Sequence, residues 1–405
     1  MKITISDSGA DYIISHLNNN GYEAYLVGGC VRNAILKRPI SDYDVATSAL
    51  PEEVCNLFSH LQILTIGIKH GTVSICLNSK VYEVTTFRKD GEYDGHRWPQ
   101  RVDFCTDVHT DLARRDFTIN AMAYNKNVGI IDDFNGIYDC AKSILRAVNN
   151  PFLRFEEDAL RILRAMRFAS VYSLSIEKNT ALAMKEKFNL LTNVSAERVL
   201  SEFSKCLMGE NADAVLKEFS KIVCFIFPEL KSVNDINKVF SAISLVDDLT
   251  QKFAILFSQC ADQVKKICKR LKFTNLMRDE ITLILSKIDF CSYDNPIEIK
   301  YLMKDLNNTV FSLIIVKYSL AITSNDKILQ NNLNKMRNIC KQIINENQCY
   351  NLAQLALKGD HLLKYSITGE DLKKKLNFAL DGVICGKVGN NTQEILNYLG
   401  LCDYE

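Results

Sequence analysis

Tyr25-Leu-Val-Gly-Gly-Cys-Val-Arg32, followed by Ser41-Asp-Tyr-Asp-Val-Ala-Thr47, is the stretch that decides the fold of the first third of the chain. Its apolar start, Tyr25 to Val27, predicts a β-strand, and residues 31–36 beyond the Gly28-Gly29 pair are typical of a helix. A glycine pair between a strand and a helix lets a phosphate approach the backbone, where the first N–H groups of the helix are unpaired. We interpret Gly28 and Gly29 as a nucleotide-binding turn.

Asp42 and Asp44 are carboxylates at positions i and i+2 of a strand predicted over residues 42–46. Side chains alternate faces along a strand, so both carboxylates point the same way and repel each other unless a divalent cation lies beside them. A solvated turn or strand edge explains the pair equally well when it is taken alone. Together with the glycine turn, it predicts a nucleotidyl-transfer site in which Asp42 and Asp44 bind the metal and are catalytic.

The composition limits the class of protein. A length of 405 residues suggests about two to four domains. The net charge of +1 means that a nucleic-acid partner needs a local basic face. The 14 cysteines include no Cys-x-x-Cys pair, which favours free thiols in a reducing cytoplasm over disulfides or a zinc ribbon. We predict no signal peptide, and the most apolar run, residues 310–316, is too short to span a membrane.

Glycine and proline are distributed unevenly, which divides the chain into two regions of different composition. Ten of the 17 glycines precede residue 137, and only two of the six prolines follow Pro151. Tight turns between strands need these residues, whereas helical bundles do not. We therefore predict an α/β domain followed by helices. In the first part we expect helices over residues 9–20 and from Pro51, a strand pair that turns at Asn78-Ser79, and a mobile loop over residues 88–101.

Glu83 and the run Arg114-Arg115-Asp116-Phe-Thr-Ile-Asn120 add candidate site residues. If the strand that holds Glu83 lies beside the 42–46 strand, its carboxylate is a third acidic group near the metal. An outward-facing glutamate on an edge strand is the alternative. The planar fork of an arginine binds phosphate oxygens bidentately, and a neighbouring carboxylate accepts a hydrogen bond from a ribose hydroxyl. A helix N-terminus capped by Asp116 is the alternative for the second run.

Asp158, Arg161, Arg164 and Arg167 follow one another at intervals of three, which predicts one stripe of a helix. A salt-bridged solvated face is the ordinary explanation, but three arginines after one acid leave excess positive charge that favours an anion. Cytosine and adenine both present an amino donor beside a ring-nitrogen acceptor, which Asp158 and Arg161 match. Uracil and guanine place a carbonyl against the carboxylate, and an unmet buried pairing costs about 1–3 kcal/mol.

These segments together resemble the class II tRNA nucleotidyltransferases, a family that also includes bacterial poly(A) polymerases. The resemblance covers the whole chain and is strongest over residues 22–208. Its motifs match Gly28-Gly29-x-Val31-Arg32 with Asp42-x-Asp44, Arg114-Arg115-Asp116 through Asn120, Ile131–Val148, Glu157-Asp158-x-x-Arg161, and Glu197-Arg198-x-x-x-Glu202.

The resemblance implies a polymerase β-like head with a mixed sheet over residues 1–140, then an all-α neck (141–207), body (208–298) and tRNA-binding tail (299–405). It implies addition of CCA to the 3′ end of tRNA from CTP and ATP, with Mg²⁺ as cofactor. The resemblance also implies contacts with the nucleotide. Gly29 and Arg32 are expected near the triphosphate, Asp116 near the ribose, and Asp158 and Arg161 at the base. Further contacts with the nucleotide are expected from Arg115, Asn120, Arg164 and Arg167.

This chain departs from the family motif at Asn33, where an aspartate usually follows Val-Arg. No His-Asp dipeptide occurs, so the phosphohydrolase domain that is fused to some relatives is not expected. Alternatives remain open: an enzyme that adds only CC or only A, a poly(A) polymerase, and a non-enzymatic RNA-binding relative. The loop over residues 88–101 resembles that of full CCA enzymes, and the intact acidic residues argue against the non-enzyme. The oligomeric state, monomer or homodimer, stays open.

Overall fold

The computed structural model describes residues 5–89 and 103–401. The chain divides into two compact units, Met1–Ile226 and Phe227–Glu405. All of the described strands lie in the first unit, and the described part of the second unit is built from helices and turns. The prediction of an α/β region followed by helices is therefore confirmed. The finer division into head, neck, body and tail stays a prediction.

The first unit contains a mixed sheet of seven strands in the order β3-β4-β5-β2-β1-β8-β9. Two smaller pairs, β6 with β7 and β10 with β11, complete the described strands. The eleven strands are β1 Ala24–Val27, β2 Val45–Thr47, β3 Gln62–Leu64, β4 Thr72–Leu77, β5 Lys80–Thr86, β6 Arg88–Lys89, β7 Asp103–Phe104, β8 Ala123–Asn125, β9 Gly129–Ile131, β10 Ile144–Leu145 and β11 Ser175–Ile176.

Eleven helices of the described chain belong to the first unit. They are α1 Ser8–Asn19, α2 Gly29–Ile35, α3 Pro51–Leu57, α4 Val108–Ala113, α5 Gly136–Lys142, α6 Pro151–Glu157, α7 Leu160–Tyr172, α8 Lys178–Lys187, α9 Ala196–Leu207, α10 Ala212–Glu218 and α11 Ser220–Ile226. The predicted helices at residues 9–20 and from Pro51 are confirmed as α1 and α3. Asp7 caps α1 by accepting from the N–H groups of Gly9 and Ala10.

The second unit has ten helices among the described residues. They are α12 Ile236–Ile243, α13 Leu249–Leu256, α14 Val264–Arg270, α15 Asn275–Leu285, α16 Pro296–Leu306, α17 Val310–Thr323, α18 Lys327–Asn345, α19 Gly359–Leu363, α20 Gly369–Ile384 and α21 Thr392–Tyr398. Its C-terminal helices bury a core that includes Leu355, Leu362, Leu380 and Ile395.

The predicted turn between β4 and β5 is confirmed. Asn78 and Ser79 have φ values of 52° and 60°, the left-handed conformation at both central positions that a two-residue hairpin loop requires. The loop predicted to begin at residue 88 is wrong at its start, because Arg88 and Lys89 form β6 and pair with Phe104 and Asp103. The rest of that prediction, residues 90–101, lies outside the described residues.

Pro296–Thr323 is the one stretch of the described chain that is long and apolar enough to cross a membrane, with a mean hydropathy of 1.3. Two observations weaken that reading. The stretch is divided into α16 and α17 by a break at Asn307, where φ is 52°, and 44% of the apolar window is buried inside the fold. The thirteen described cysteines are free thiols, as predicted.

The sheet register brings two acidic residues, Asp44 and Glu83, to the same end of two adjacent strands. In the antiparallel pair of β1 and β2, Leu26 lies opposite Val45, and the carbonyl of Asp44 accepts from the N–H of Val27 at 3.0 Å. The end of β1 therefore lies beside the start of β2. In the parallel pair of β2 and β5, Val45 lies opposite Val84, so Asp44 and Glu83 come next in register on adjacent strands.

Candidate active site

The turn from β1 into α2 is built on Gly28. Its φ of 69° and ψ of −121° form a conformation that side chains other than glycine rarely adopt. A Cβ atom at this position would also lie 3.2 Å from Nη1 of Arg115. The predicted strand–glycine–helix turn is therefore present, with the Arg115 guanidinium held directly against it.

Asp42, Asp44 and Glu83 lie at this edge of the sheet. Asp42 and Asp44 precede β2, which begins at Val45 and is shorter than the predicted strand. Burial raises the pKa of Asp44, the negative charges of Glu83 and Asp42 raise it further, and Arg115 opposes them. The expectation that the strand holding Glu83 lies beside the strand after Asp44 is confirmed.

The three carboxylates fit a divalent cation that is shared with a substrate. Within the described residues, no lysine or arginine lies within 4.0 Å of their oxygens, so none of the three forms a direct ion pair there. Over residues 5–89 and 103–401, no group of three or more Asp, Glu, His or Cys side chains forms a cage for an ion. A hard divalent cation keeps waters and substrate oxygens among its ligands, so it does not require a complete cage of protein carboxylates.

Asp111 on α4 holds the two neighbouring arginines. Its side chain is only 1% exposed, and its two oxygens pair with Nη2 of Arg114 at 2.6 Å and Nη2 of Arg115 at 3.0 Å. Burial raises the pKa of Asp111, but the two guanidinium groups outweigh it and leave the pKa lowered. Asp111 is a site residue that the sequence interpretation missed. Its spacing of three and four residues from the arginines was the available signal.

Asp116 joins the sheet region to α7. One of its oxygens accepts from Nε of Arg164 at 2.7 Å, and the other accepts from Nδ2 of Asn120 at 3.0 Å. Asn120 in turn accepts from Nη1 of Arg32 at 2.6 Å. A buried network therefore connects Arg164, Asp116, Asn120 and Arg32. Asp116 does not cap an α-helix, because only the 3₁₀ turn Thr118–Asn120 follows it.

The pKa of Asp116 makes this network sensitive to acid. Burial acts to raise the pKa, but Arg164 and the hydrogen bond from Asn120 outweigh it and lower the value to about 2. An acid whose pKa is depressed by folding contributes stability above its unfolded pKa of about 4, and the contribution is lost as the pH falls through the folded pKa. We expect about 2 kcal/mol of the stability of the first unit to disappear between pH 4 and pH 2.

The substitution Asp116→Asn tests this expectation. It should destabilise the protein by about 2 kcal/mol at pH 6, since the neutral amide removes the charge that pairs with the half-buried Arg164. The stability difference between the two proteins should shrink as the pH is lowered from 4 to 2. Urea unfolding of both proteins across this range measures the difference, and a constant difference would contradict the assignment.

The predicted stripe of four charged residues is wrong for Asp158. Helix α6 ends at Glu157, Asp158 is extended with φ of −146° and ψ of 102°, and α7 begins at Leu160. The physical reason is local: Oδ1 of Asp158 accepts from the N–H of Leu160 at 3.0 Å, a bond that competes with a continuous helix. Its other oxygen accepts from Nη2 of Arg198 at 3.2 Å.

The three arginines do share α7, but each has a different environment. Arg161 donates to Oε2 of Glu157 at 2.8 Å and to the carbonyl of Arg114 at 3.2 Å. Arg167 pairs with Glu202 of α9 at 3.0 Å. The guanidinium carbons of Arg167 and Arg164 lie 4.2 and 5.4 Å from the centroid of the Phe168 ring. Both guanidiniums therefore lie close to the Phe168 ring.

The comparisons with known proteins place this arrangement in a family. Residues 24–146 match the model of the Poly A polymerase head domain. Residues 173–233 match the model described as a probable RNA and SrmB-binding site of polymerase A. The CCA-adding enzyme of Lactococcus lactis subsp. lactis is 38% identical to this chain over 290 residues, which cover 70% of this chain and 72% of that one.

Solved structures give the same fold. The Bacillus stearothermophilus CCA-adding enzyme, determined in complex with CTP, superimposes with a TM-score of 0.77 at 29% identity over 96% of both chains. The Thermotoga maritima CCA-adding enzyme, determined in complex with tRNA, superimposes with a TM-score of 0.69 at 18% identity, which shows the fold alone.

The similarity extends over the whole length in one curated relative. The CCA-adding enzyme of Lactobacillus delbrueckii subsp. bulgaricus is 32% identical over 407 aligned residues, covering 99% of both chains. This chain therefore belongs to the family of CCA-adding enzymes, the tRNA nucleotidyltransferases.

Proposed function

We propose that this protein adds C, C and A in turn to the 3′ end of tRNA, using CTP and ATP and releasing pyrophosphate, with no nucleic-acid template. The observation that carries the proposal is the edge of the sheet where Asp44 and Glu83 lie in register beside the Gly28 turn, with Arg115 against that turn. Acidic groups, a phosphate-binding turn and an arginine in one place are what nucleotidyl transfer needs.

The cofactor of this reaction is proposed to be Mg²⁺, held by Asp42 and Asp44. When bound, the metal lowers the pKa of the attacking 3′-hydroxyl and offsets negative charge on the triphosphate. Glu83, next in register to Asp44, adds negative charge that favours binding of the cation. The absence of a basic partner for these carboxylates among the described residues supports this assignment.

The remaining network binds and orients the nucleotide. Gly28 and Gly29 allow the triphosphate to approach the backbone, while Arg32 and Arg115 provide positive charge beside it. Asp116 orients Arg164 and Asn120, and its contact with the ribose stays a prediction. Arg164 and Arg167 add positive charge along α7 toward the incoming nucleotide.

Base choice is proposed to rest on Asp158 and Arg161. Arg198 and the N–H of Leu160 fix the Asp158 carboxylate, and Glu157 fixes the Arg161 guanidinium. Both groups are half-buried and pre-oriented, so little entropy is lost when a base pairs with them. A fixed acceptor beside a fixed donor matches cytosine and adenine and opposes the carbonyl of uracil and guanine.

Addition of only CC, addition of only A, and poly(A) synthesis all need the same site chemistry as CCA addition. The sequence added to the RNA 3′ end is therefore what distinguishes these reactions. We propose the full CCA reaction because the relatives that match most of the chain carry that name. The carboxylates of Asp42, Asp44 and Glu83 argue against a non-enzymatic RNA-binding protein, because binding RNA does not require them. Location in the cytoplasm stays a prediction.

Three tRNA transcripts, ending at the discriminator base, after one added C, and after CC, test the proposal. Each is incubated with Mg²⁺ and one labelled nucleotide at a time. We expect CTP to extend the first two transcripts and ATP to extend only the third. Extension of the third transcript by CTP, or of the first by ATP, would contradict sequential CCA addition.

A further inference from the structure

The segment that carries Asp42 and Asp44 is held in place by few contacts. Residues 40–43 adopt neither helix nor strand and form no backbone–backbone hydrogen bond within the described chain. The only described hydrogen bond of the Asp42 side chain comes from the hydroxyl of the adjacent Ser41. Asp42, Asp44 and Glu83 carry like charges, so their repulsion acts to spread the segment away from the sheet. A further support is needed to keep the carboxylates together.

The two faces of the sheet separate the carboxylates from a pair of tyrosines. In the parallel register of β2 and β5, Asp44 comes next to Glu83, and one residue earlier Tyr43 comes next to Tyr82. Residues in register on adjacent strands point to the same face, whereas successive residues of one strand point to opposite faces. Tyr43 and Tyr82 therefore lie on the face opposite the carboxylates of Asp44 and Glu83.

Asp7 is the centre of a polar cluster on this second face. Its side chain is 8% exposed, and its two oxygens accept from the hydroxyl of Tyr82 at 2.6 Å and from Nζ of Lys80 at 2.7 Å. It also accepts from the N–H groups of Gly9 and Ala10 at the start of α1. Burial acts to raise the pKa of Asp7, but the hydrogen bonds from Lys80 and Tyr82 outweigh it and lower the value to about 2. Asp7 is therefore charged at neutral pH and anchors the Lys80 ammonium.

The anchored ammonium lies against the ring of Tyr43, the residue between Asp42 and Asp44. Nζ of Lys80 is 5.8 Å from the centroid of that ring, a cation–π contact. Helix α1 packs tightly on the same face, since a Cβ atom on Gly9 would lie 2.3 Å from the Tyr82 hydroxyl oxygen. The start of α1 is thus connected through a lysine to the back of the acidic segment.

We infer that Lys80 is a positioning residue for the metal site. Anchored by Asp7, its ammonium holds the Tyr43 ring on one face of the sheet. The carboxylates of Asp42 and Asp44 are thereby kept on the other face, turned toward one cation. This inference rests on the proposed function, since it concerns the cation that nucleotidyl transfer requires. Lys80 shares the face of Tyr82, so it acts on the cation site only through Tyr43.

The sign of the effect separates this role from simple electrostatics. A lysine near an acidic site repels a cation, so removal of its charge alone should tighten cation binding. If Lys80 instead positions the segment, its removal should weaken cation binding, because the repulsion between the carboxylates then spreads the segment. The two explanations predict changes of opposite direction in one measurement.

Binding of Mn²⁺ to the full chain, without nucleotide or tRNA and measured by the electron paramagnetic resonance signal of the free ion, tests the inference. Mn²⁺ takes the same oxygen ligands as Mg²⁺. The binding that Asp42→Ala removes defines the site. Lys80→Met should weaken binding at this site about two- to fivefold, the range of an exposed cation–π contact. Tyr43→Leu should weaken it similarly, whereas Tyr43→Phe keeps the ring and should bind as the wild type does.

Lys126→Met is the matched control. The Lys126 side chain is 49% exposed, close to the 57% of Lys80, and it pairs with Asp11 of the same helix α1. It follows β8 at the end of the sheet away from the carboxylates, so its loss should leave Mn²⁺ binding unchanged. Unchanged or tighter binding in Lys80→Met, or an equal loss in Lys126→Met, would overturn the inference.

Failure of this inference is distinguishable from failure of the proposed function. If the wild-type protein adds CCA while Lys80→Met binds Mn²⁺ at least as tightly as the wild type, the positioning role is refuted and the function stands. If Lys80→Met and Tyr43→Leu weaken Mn²⁺ binding by the expected factor, yet the wild-type protein extends no tRNA, the function is refuted and the positioning role is retained.

Discussion

Asp42→Ala is expected to abolish nucleotide incorporation and to leave tRNA binding nearly unchanged. The rate should fall by about a thousandfold or more, because a catalytic metal supplies several kcal/mol and each 1.36 kcal/mol is a factor of ten. Folding should be little affected, since Asp42 is exposed and its only described hydrogen bond is from the hydroxyl of Ser41. Single-turnover incorporation of labelled CTP and a tRNA filter-binding assay measure the two effects.

The matched control is Glu52→Gln, which removes an exposed carboxylate from α3, at the other end of β2. Its incorporation rate should equal that of the wild-type protein. If Asp42→Ala retains substantial turnover at saturating Mg²⁺, Asp42 is not part of the metal site. Loss of tRNA binding together with activity would instead indicate a structural defect.

Asp158→Ala is expected to remove base choice. The ratio of kcat/KM for UTP to that for CTP should rise roughly 5- to 150-fold, which corresponds to the 1–3 kcal/mol cost of an unmet buried pairing. The variant also loses the bond to the N–H of Leu160, so some loss of stability accompanies the change. Because it is a ratio within one protein, the readout is insensitive to a general loss of activity.

Glu156→Gln provides the control for this variant. It breaks the ion pair between Glu156 of α6 and Lys187 of α8 but leaves the Asp158 carboxylate in place. The ratio of UTP to CTP should stay at the wild-type value in this control. If Asp158→Ala rejects UTP and GTP as strongly as the wild-type protein does, the protein-template account of base choice is wrong.

The glycine turn and the hairpin of the site could be predicted because short stretches of sequence specify both of them. Gly28-Gly29 between an apolar run and a helix predicts the turn, and alternation around Asn78-Ser79 predicts the hairpin that carries Glu83. The sequence could not establish that the Glu83 strand pairs with the strand after Asp44, because the order of strands in a sheet depends on contacts between residues distant in sequence.

The parts that sequence reasoning missed depend on tertiary contacts. A spacing of three placed Asp158 on the arginine helix, but its side chain bonds to the N–H of Leu160 and the helix breaks there. The contact between Arg32 and Tyr172 joins residues 140 positions apart, and no periodicity reports such a pair. Asp111 could not be assigned from the sequence, because two adjacent arginines are as compatible with a phosphate ligand as with a buried carboxylate.

The central claim is tested most directly by sequencing the 3′ ends of a tRNA transcript that lacks CCA, after incubation with the protein, Mg²⁺ and all four nucleoside triphosphates. The account predicts a single CCA addition followed by arrest. A transcript that ends in CC, a long A tract, or no extension at all would contradict it.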